Sequence, residues 1–83
     1  MNKDTLCQKL IELISDVSGK SVSPDTPLLE DDAVDSFALL VIIDFLEENL
    51  KIEIDPNETT TEIFNTVDTI ADWALDLRDR NPD

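Results

Sequence analysis

The chain has 83 residues, of which 20 are Asp or Glu and 6 are Lys or Arg, and its net charge at pH 7 is −14. This balance argues against binding to nucleic acid or to anionic membranes, because both need a basic footprint on the protein. The sequence contains no histidine and a single cysteine, which excludes a Ser-His-Asp hydrolase, an internal disulfide framework and a cysteine-based zinc site.

The first predicted element is an amphipathic helix near the N-terminus. Its apolar positions recur at helical spacing and are Leu6, Leu10, Leu13, Ile14 and Val17. Asn2 or Asp4 can cap its start, and Gly19 can end it in a left-handed conformation. Cys7 lies on this helix, where we expect it to act as a small apolar residue.

A long loop is predicted over residues 21–35, because Pro24 and Pro27 stand there among several turn-forming residues. The Leu28-Leu29 pair inside it is expected to fold back onto the core. The loop is therefore predicted to be pinned to the domain, and not to act as a linker.

The second predicted helix covers residues 36–50, with Asp35 as a strong N-cap candidate. At about 100° per residue, one face collects its core positions, which are Leu39, Ile42, Ile43, Leu46 and Leu50. Phe37, Val41 and Phe45 form a second apolar stripe away from that face. An exposed stripe predicts a docking patch for a partner, while the alternative is that the long loop or the short helix covers part of it.

Two further helices are predicted after this one. Residues 51–54 alternate polar and apolar side chains but are too short and isolated to form a sheet. Thr59 and Glu62 fit a capping box that opens a very short helix, and Asn65 or Thr66 then caps the last helix. The buried stripe of that last helix is expected to be Val67, Ile70, Ala71, Ala74 and Leu77. Trp73 is interpreted as a packing residue.

Together these elements predict an all-α fold, a small bundle of three longer helices plus one short helix, in one domain over residues 1–83. Residues 79–83 are expected to be a frayed tail. The predicted core consists of Leu6, Leu10, Leu13, Val17, Leu39, Ile43, Leu46, Ile70 and Ala74. The chain has no run of membrane-span length and no basic-then-apolar N-terminal signal, so we expect a cytoplasmic protein.

Ser36 is the candidate functional residue, because it combines an aspartate neighbour with a helix N-terminus, where unpaired N–H groups and the helix dipole favour a negative substituent. A serine nucleophile is weak without an adjacent base, and this chain has no histidine to supply one. Ser36 is therefore predicted to be a place where another protein attaches a group.

The chain resembles the acyl carrier protein and peptidyl carrier protein family over nearly its whole length. The resemblance lies in the order of the helices and in three short segments. These are Leu28-Leu29-Glu30-Asp31 before the second helix, the Asp35-Ser36 pair at its start, and Leu50 to Ile54 at its end. It implies that Ser36 carries covalent 4′-phosphopantetheine, whose thiol holds an acyl or aminoacyl group as a thioester. It also implies that Asp35 helps a phosphopantetheinyl transferase to place its magnesium and coenzyme A.

Several positions depart from the pattern of the family. Ala33 stands where the family usually has Gly, Asp32 where an apolar residue is common, and Phe37 where Leu is usual. Phe at this position is seen in some carriers that load amino acids, such as D-alanyl carrier proteins. Ala38 and Val41 are apolar where fatty-acid-synthase carriers usually have acidic residues. The residues expected to contact partners are Phe37, Ala38, Val41, Asp44, Phe45, Glu47 and Glu48.

We expect a discrete carrier protein that catalyses nothing, binds no metal of its own and is a monomer when alone. Its expected partners are a phosphopantetheinyl transferase, an acyl- or aminoacyl-loading enzyme, and downstream synthase, transferase or tailoring enzymes. The apolar helix face favours a polyketide or non-ribosomal-peptide pathway. A D-alanyl carrier protein and a fatty-acid-synthase acyl carrier protein are alternatives, and a helical interaction module without a prosthetic group is an alternative of another class.

Overall fold

The computed structural model describes residues 2–30, 34–55, 57, 59–60 and 62–80. It contains helix α1 (Lys3–Ser18), helix α2 (Ser36–Leu50), a short 3-10 helix (Ile63–Asn65) and helix α3 (Val67–Arg80). No strand occurs in these ranges, and none of their helices is long and apolar enough to cross a membrane. The predicted all-α bundle, with a long loop between its first two helices, is confirmed.

Both ends of α1 have the predicted caps. The Asn2 side-chain oxygen accepts a hydrogen bond from the Thr5 backbone N–H at 2.8 Å, so Asn2 is the N-cap, while Asp4 lies in the first turn. Gly19 ends the helix in the left-handed region, with φ at 73°, and its N–H donates to the Ser15 carbonyl. Glycine suits this position because it has no Cβ to clash in that conformation.

The long loop is pinned to the start of α3, as predicted. Leu28 is completely buried, and its backbone N–H donates to the Asn65 carbonyl at 2.7 Å. The Asp68 backbone N–H in turn donates to the Pro24 carbonyl at 3.0 Å. Leu29 is partly buried against the core. These contacts hold the loop against the bundle and so fix the position from which the chain enters α2.

The segment after α2 closes one side of the core without forming a strand. Lys51 ends the helix in the left-handed region, and Ile52 and Ile54 are both buried. The Glu47 carboxylate accepts a hydrogen bond from the Ile54 backbone N–H at 2.9 Å. This bond ties the extended segment back onto α2.

The 3-10 helix begins differently from the prediction. The reciprocal Thr59–Glu62 bonds of a capping box are not among those formed by the described residues, and Glu62 makes no capping hydrogen bond with its side chain. The Thr60 hydroxyl instead accepts from the Ile63 backbone N–H at 3.3 Å. Thr60 therefore supplies the side-chain hydrogen bond at the start of the short helix.

Thr66 is the cap of α3. Its hydroxyl accepts a hydrogen bond from the Thr69 backbone N–H at 3.1 Å, and the Thr66 backbone N–H donates to the Thr69 hydroxyl at 3.3 Å. At the other end, α3 continues through Asp79 and Arg80, which the sequence had placed in the tail. An Arg80–Asp76 ion pair at 2.9 Å lies in this last turn. Residues 81–83 are outside the described ranges.

The core joins all three helices with the loop and the segment after α2. The buried side chains are Leu6, Cys7, Leu10, Ile14, Leu28, Val34, Ala38, Ile42, Ile43, Leu46, Leu50, Ile52, Ile54, Phe64, Val67, Ile70, Ala71 and Ala74. Most predicted core residues are among them, but Leu13, Val17 and Leu39 are only partly buried and pack around the edge. Burial raises the pKa of the Cys7 thiol, which fits its predicted apolar role.

Two further contacts hold α3 in place. Trp73 packs edge-on against Phe64, with ring centroids 5.7 Å apart, as expected for a packing residue. Lys3 lies between two carboxylates of α3, 2.8 Å from Asp68 and 3.0 Å from Asp72, and these carboxylates raise the pKa of its ammonium group above the usual range. Lys3 therefore ties the start of α1 to α3.

Leu46→Ala is expected to lower the free energy of unfolding by about 2–5 kcal/mol, because it opens a cavity at a completely buried position. Leu40→Ala is the matched control on the same helix, since Leu40 is 59% exposed, and its effect should stay within about 0.5 kcal/mol. Urea unfolding followed by circular dichroism measures both. Equal midpoints for the two variants would contradict the assignment of the α2 faces.

Candidate functional site

The start of α2 is fixed by a side-chain cap. Asp35 has an extended backbone, and its carboxylate accepts a hydrogen bond from the Ala38 backbone N–H at 2.9 Å. The Asp35 carbonyl accepts the first helical bond, from the Leu39 N–H. The prediction that Asp35 is the N-cap is confirmed, and Ser36 is therefore the first residue of the helix.

Ser36 is exposed at the positive end of the α2 dipole. Among the residues that the structure describes, none hydrogen-bonds its hydroxyl. Because this hydroxyl is exposed and has no partner among the described residues, it is accessible to another protein. No histidine exists in the chain to deprotonate it.

A cleft opens beside Ser36, with a volume of about 300 Å³. Four of its lining residues are apolar, namely Leu29, Val34, Leu39 and Phe64, and the other four, Asp35, Ser36, Thr59 and Thr60, carry a carboxylate or a hydroxyl group. Three parts of the chain therefore meet at this point: the end of the long loop, the first turns of α2 and the approach to α3. The cleft explains why Leu39 is less buried than the helical wheel predicted.

The predicted docking residues do not all lie on one exposed surface. Phe37 is 66% exposed, as the prediction of a docking patch requires. The prediction for Ala38 is wrong, because Ala38 is only 3% exposed and belongs to the core. Its position explains this, since it lies one turn before the buried Ile42 on the same side of the helix.

The far end of the apolar stripe lies beside α1 and is partly buried. Phe45 is partly buried against the core and lines a groove together with Leu13 of α1. Neither the long loop nor the short helix contributes to that groove. Val41 lies between the two ends of the stripe and is half-buried.

Leu40 is an exposed residue that the sequence reasoning missed. It is 59% exposed, and it joins Phe37 as the two large exposed apolar residues in the described part of the chain. Its position three residues after Phe37 and four after Ser36 places it near both on the helix surface. The helical wheel places Leu40 beside Phe37, but Leu40 lies off the line of Phe37, Val41 and Phe45 at four-residue spacing.

The three predicted acidic residues of α2 differ in their surroundings. Asp44 and Glu48 are exposed, whereas Glu47 is half-buried and holds the Ile54 backbone N–H. No group of three or more Cys, Asp or Glu side chains that could hold a metal ion is present among the described residues. The departures at Asp32 and Ala33 lie outside the described residues.

Comparison with known proteins identifies the family. A family model described as a phosphopantetheine attachment site matches residues 8–74, from within α1 to within α3. A comparison with curated proteins finds no match. The family match covers most of the chain and includes the α2 start and the cleft described above. The chain therefore belongs to the phosphopantetheine attachment-site family of acyl and peptidyl carrier proteins, and its domain is one to which 4′-phosphopantetheine is covalently attached.

Proposed function

We propose that this protein is a non-catalytic carrier with Ser36 as its attachment site, and that it presents an acyl or aminoacyl group to successive enzymes. The observation that carries this proposal is the exposed Ser36 hydroxyl at the start of α2, directly after the Asp35 cap. When attached, 4′-phosphopantetheine supplies a thiol that holds the cargo as a thioester.

The residues around Ser36 fit a phosphate-linked group. A phosphodiester on the Ser36 oxygen lies at the end of α2 where unpaired N–H groups and the helix dipole favour negative charge. The neighbouring cleft of about 300 Å³ leaves room beside the attachment point. The Asp35 carboxylate accepts the Ala38 N–H through one oxygen, at 2.9 Å, and no described residue hydrogen-bonds its other oxygen, which a transferase can use.

Attachment is a transfer from coenzyme A that another enzyme catalyses. Ser36 Oγ loses its proton to a base on the transferase and forms a bond to the phosphorus of the pantetheine-bearing phosphate. The pyrophosphate bond of coenzyme A breaks, and 3′,5′-ADP leaves. The chain itself contributes the hydroxyl, the positive helix end and the Asp35 carboxylate, and it has no histidine that could act as the base.

The pathway we favour is of the polyketide or non-ribosomal-peptide type. Support comes from the apolar character of the first turns of α2, where Phe37 and Leu40 are exposed and Val41 is half-buried. Expected partners are the transferase, a loading enzyme and downstream synthase or tailoring enzymes, in the cytoplasm. A D-alanyl carrier remains the second candidate, because Phe37 follows the serine. An interaction module without a prosthetic group is not supported by any of these observations.

Ser36→Ala is expected to abolish phosphopantetheinylation while leaving the helical fold intact, because the hydroxyl makes no packing contact that the core needs. Intact mass after incubation with coenzyme A and a broad-specificity phosphopantetheinyl transferase measures the change. Ser21→Ala, at an exposed loop serine, is the control and should be modified like the wild type. A mass increase that survives in Ser36→Ala would overturn the assignment.

Asp35→Asn and Asp35→Ala separate the two roles of Asp35. Asparagine caps helices about as well as aspartate, whereas alanine is expected to lower the free energy of unfolding by about 0.5–2 kcal/mol. Both substitutions remove the charge, and hydrogen bonds to charged groups contribute about 1.5–3 kcal/mol, so both should lower kcat/KM for the transferase about tenfold or more. Full modification rates with Asp35→Asn would show that Asp35 acts only as a cap.

Val41→Glu is expected to weaken loading of the phosphopantetheinylated protein by its native loading enzyme without unfolding it. The substitution restores the acidic character that fatty-acid-synthase carriers usually have at this position, and it spares the buried face of α2. Gln8→Glu adds the same charge at an exposed site on α1 and serves as the control. Steady-state loading is the measurement, with circular dichroism to check the fold. If Val41→Glu loads like the control, then this face does not dock the loading enzyme.

A further inference from the structure

The cleft beside Ser36 has side chains of two kinds along its lining. The apolar wall consists of Leu29, Val34, Leu39 and Phe64, and the polar wall consists of Asp35, Ser36, Thr59 and Thr60. Small-molecule sites combine an apolar lining with a few placed polar groups, and the occupant has matching parts. The composition of this cleft therefore carries information about the group that it can hold.

The polar wall carries negative charge without a cation. The Asp35 carboxylate accepts the Ala38 N–H through one oxygen, and no described residue hydrogen-bonds its other oxygen. No Lys or Arg occurs from Ser21 to Leu50 or from Ile52 to Leu77, and these two ranges contain every described lining residue. A phosphodiester on Ser36 adds a further negative charge at this wall. The polar wall therefore attracts an ammonium group and repels a carboxylate.

The apolar wall is part of the packed core. Val34 and Phe64 are 7% and 2% exposed, and the Phe64 ring also meets Trp73 edge-on, with ring centroids 5.7 Å apart. Phe64 thus contacts both the cleft and the single tryptophan of the chain. Because indole fluorescence depends on the surroundings of the ring, a group that contacts Phe64 in the cleft should change the emission of Trp73.

The volume of the cleft favours a short occupant. It is about 300 Å³, at the lower end of the range of about 300–1,000 Å³ for small-molecule sites. A long hydrocarbon chain would place methylene groups against the Asp35 carboxylate and the Thr60 hydroxyl, which costs free energy because such groups lose their hydration. A cargo on an arm attached to Ser36 is held at an effective concentration in the millimolar range, so even weak affinity fills the cleft.

We propose that the cargo of this carrier is a short α-aminoacyl group with a small apolar side chain, and that the cleft beside Ser36 selects it. This inference rests on the proposed function and specifies the class of cargo. The ammonium group of the cargo donates to the Asp35 carboxylate at the polar wall, and its side chain lies against the apolar wall. Long acyl chains are disfavoured by the polar wall, and carboxylated acyl groups by its charge.

The test compares forms of the full chain whose arms differ only in their cargo. A broad-specificity phosphopantetheinyl transferase transfers each arm from a coenzyme A analogue in which an amide replaces the labile thioester, and intact mass checks that loading is complete. Alanyl, isobutyryl and methylmalonyl groups share one branched shape and carry an ammonium, a methyl and a carboxylate group respectively. Octanoyl represents a long chain. The thermal midpoint and the Trp73 fluorescence are measured for each form at low and at physiological salt.

The alanyl form should have the highest thermal midpoint at low salt, about 2 °C or more above the isobutyryl form, and the methylmalonyl form the lowest. Exposed ion pairs change affinities up to about fivefold and are screened by salt, so these differences should shrink at physiological salt. Relative to the arm without cargo, the Trp73 emission should change more with alanyl than with methylmalonyl.

Three variants locate the effect in the cleft. Thr60→Lys places a cation in the polar wall and should raise the methylmalonyl form to at least the midpoint of the alanyl form. Asp35→Asn keeps the helix cap but removes the charge, so the alanyl form should fall to the level of the isobutyryl form; longer incubation offsets its slower modification. Gln8→Lys adds the same charge as Thr60→Lys at an exposed position of α1 and should keep the wild-type order.

Several outcomes would overturn the proposal. Equal effects of Thr60→Lys and Gln8→Lys would do so, because the net charge of the chain would then explain the order of the forms. An octanoyl form with the highest midpoint would show that the cleft holds a long chain. Equal midpoints and equal Trp73 emission in all loaded forms would show that the cargo stays outside the cleft. A wild-type chain that takes up no arm would instead overturn the proposed function, so the two failures are distinguishable.

Discussion

The hydrogen bond from the Ala38 backbone N–H to the Asp35 carboxylate, 2.9 Å long, decides where the chain stops being a loop and becomes a helix. Because Asp35 keeps an extended backbone and Ser36 is already helical, the serine hydroxyl stands at the positive end of the dipole. The Ala38, Ile42 and Leu46 face of the same helix is buried in the core. The cap and this buried face together determine both the position of Ser36 and the side on which it is accessible.

The contacts that hold the start of α2 in place are mostly uncharged. The long loop reaches Asp35 after being pinned by two backbone hydrogen bonds, from Leu28 to Asn65 and from Asp68 to Pro24. Such contacts suit a chain with a net charge of −14, because uncharged bonds do not add to self-repulsion. Lys3 is a local exception, since its ammonium group lies between two carboxylates of α3 and reduces the repulsion between them.

The helix boundaries and caps were largely predictable from sequence, because they depend on residues within a few positions of each other. Asn2, Asp35 and Gly19 act as their local chemistry indicated. The outer face of α2 was less predictable, because its exposure depends on where α1 packs. Phe45 is partly buried and lines a groove together with Leu13 of α1, and no periodicity within α2 reveals that neighbour. Ala38 was assigned from the family pattern, although its helical spacing from Ile42 indicated burial.

The cleft beside Ser36 was also not predictable from the sequence, because residues that are distant in the chain form it. Leu29, Leu39 and Phe64 come from three separate parts of the chain, and their meeting depends on how the loop and the approach to α3 close over α2. The helical spacing correctly placed Leu39 on the side of α2 that faces the core. It could not show that Leu39 is only partly buried there and lines an open cleft.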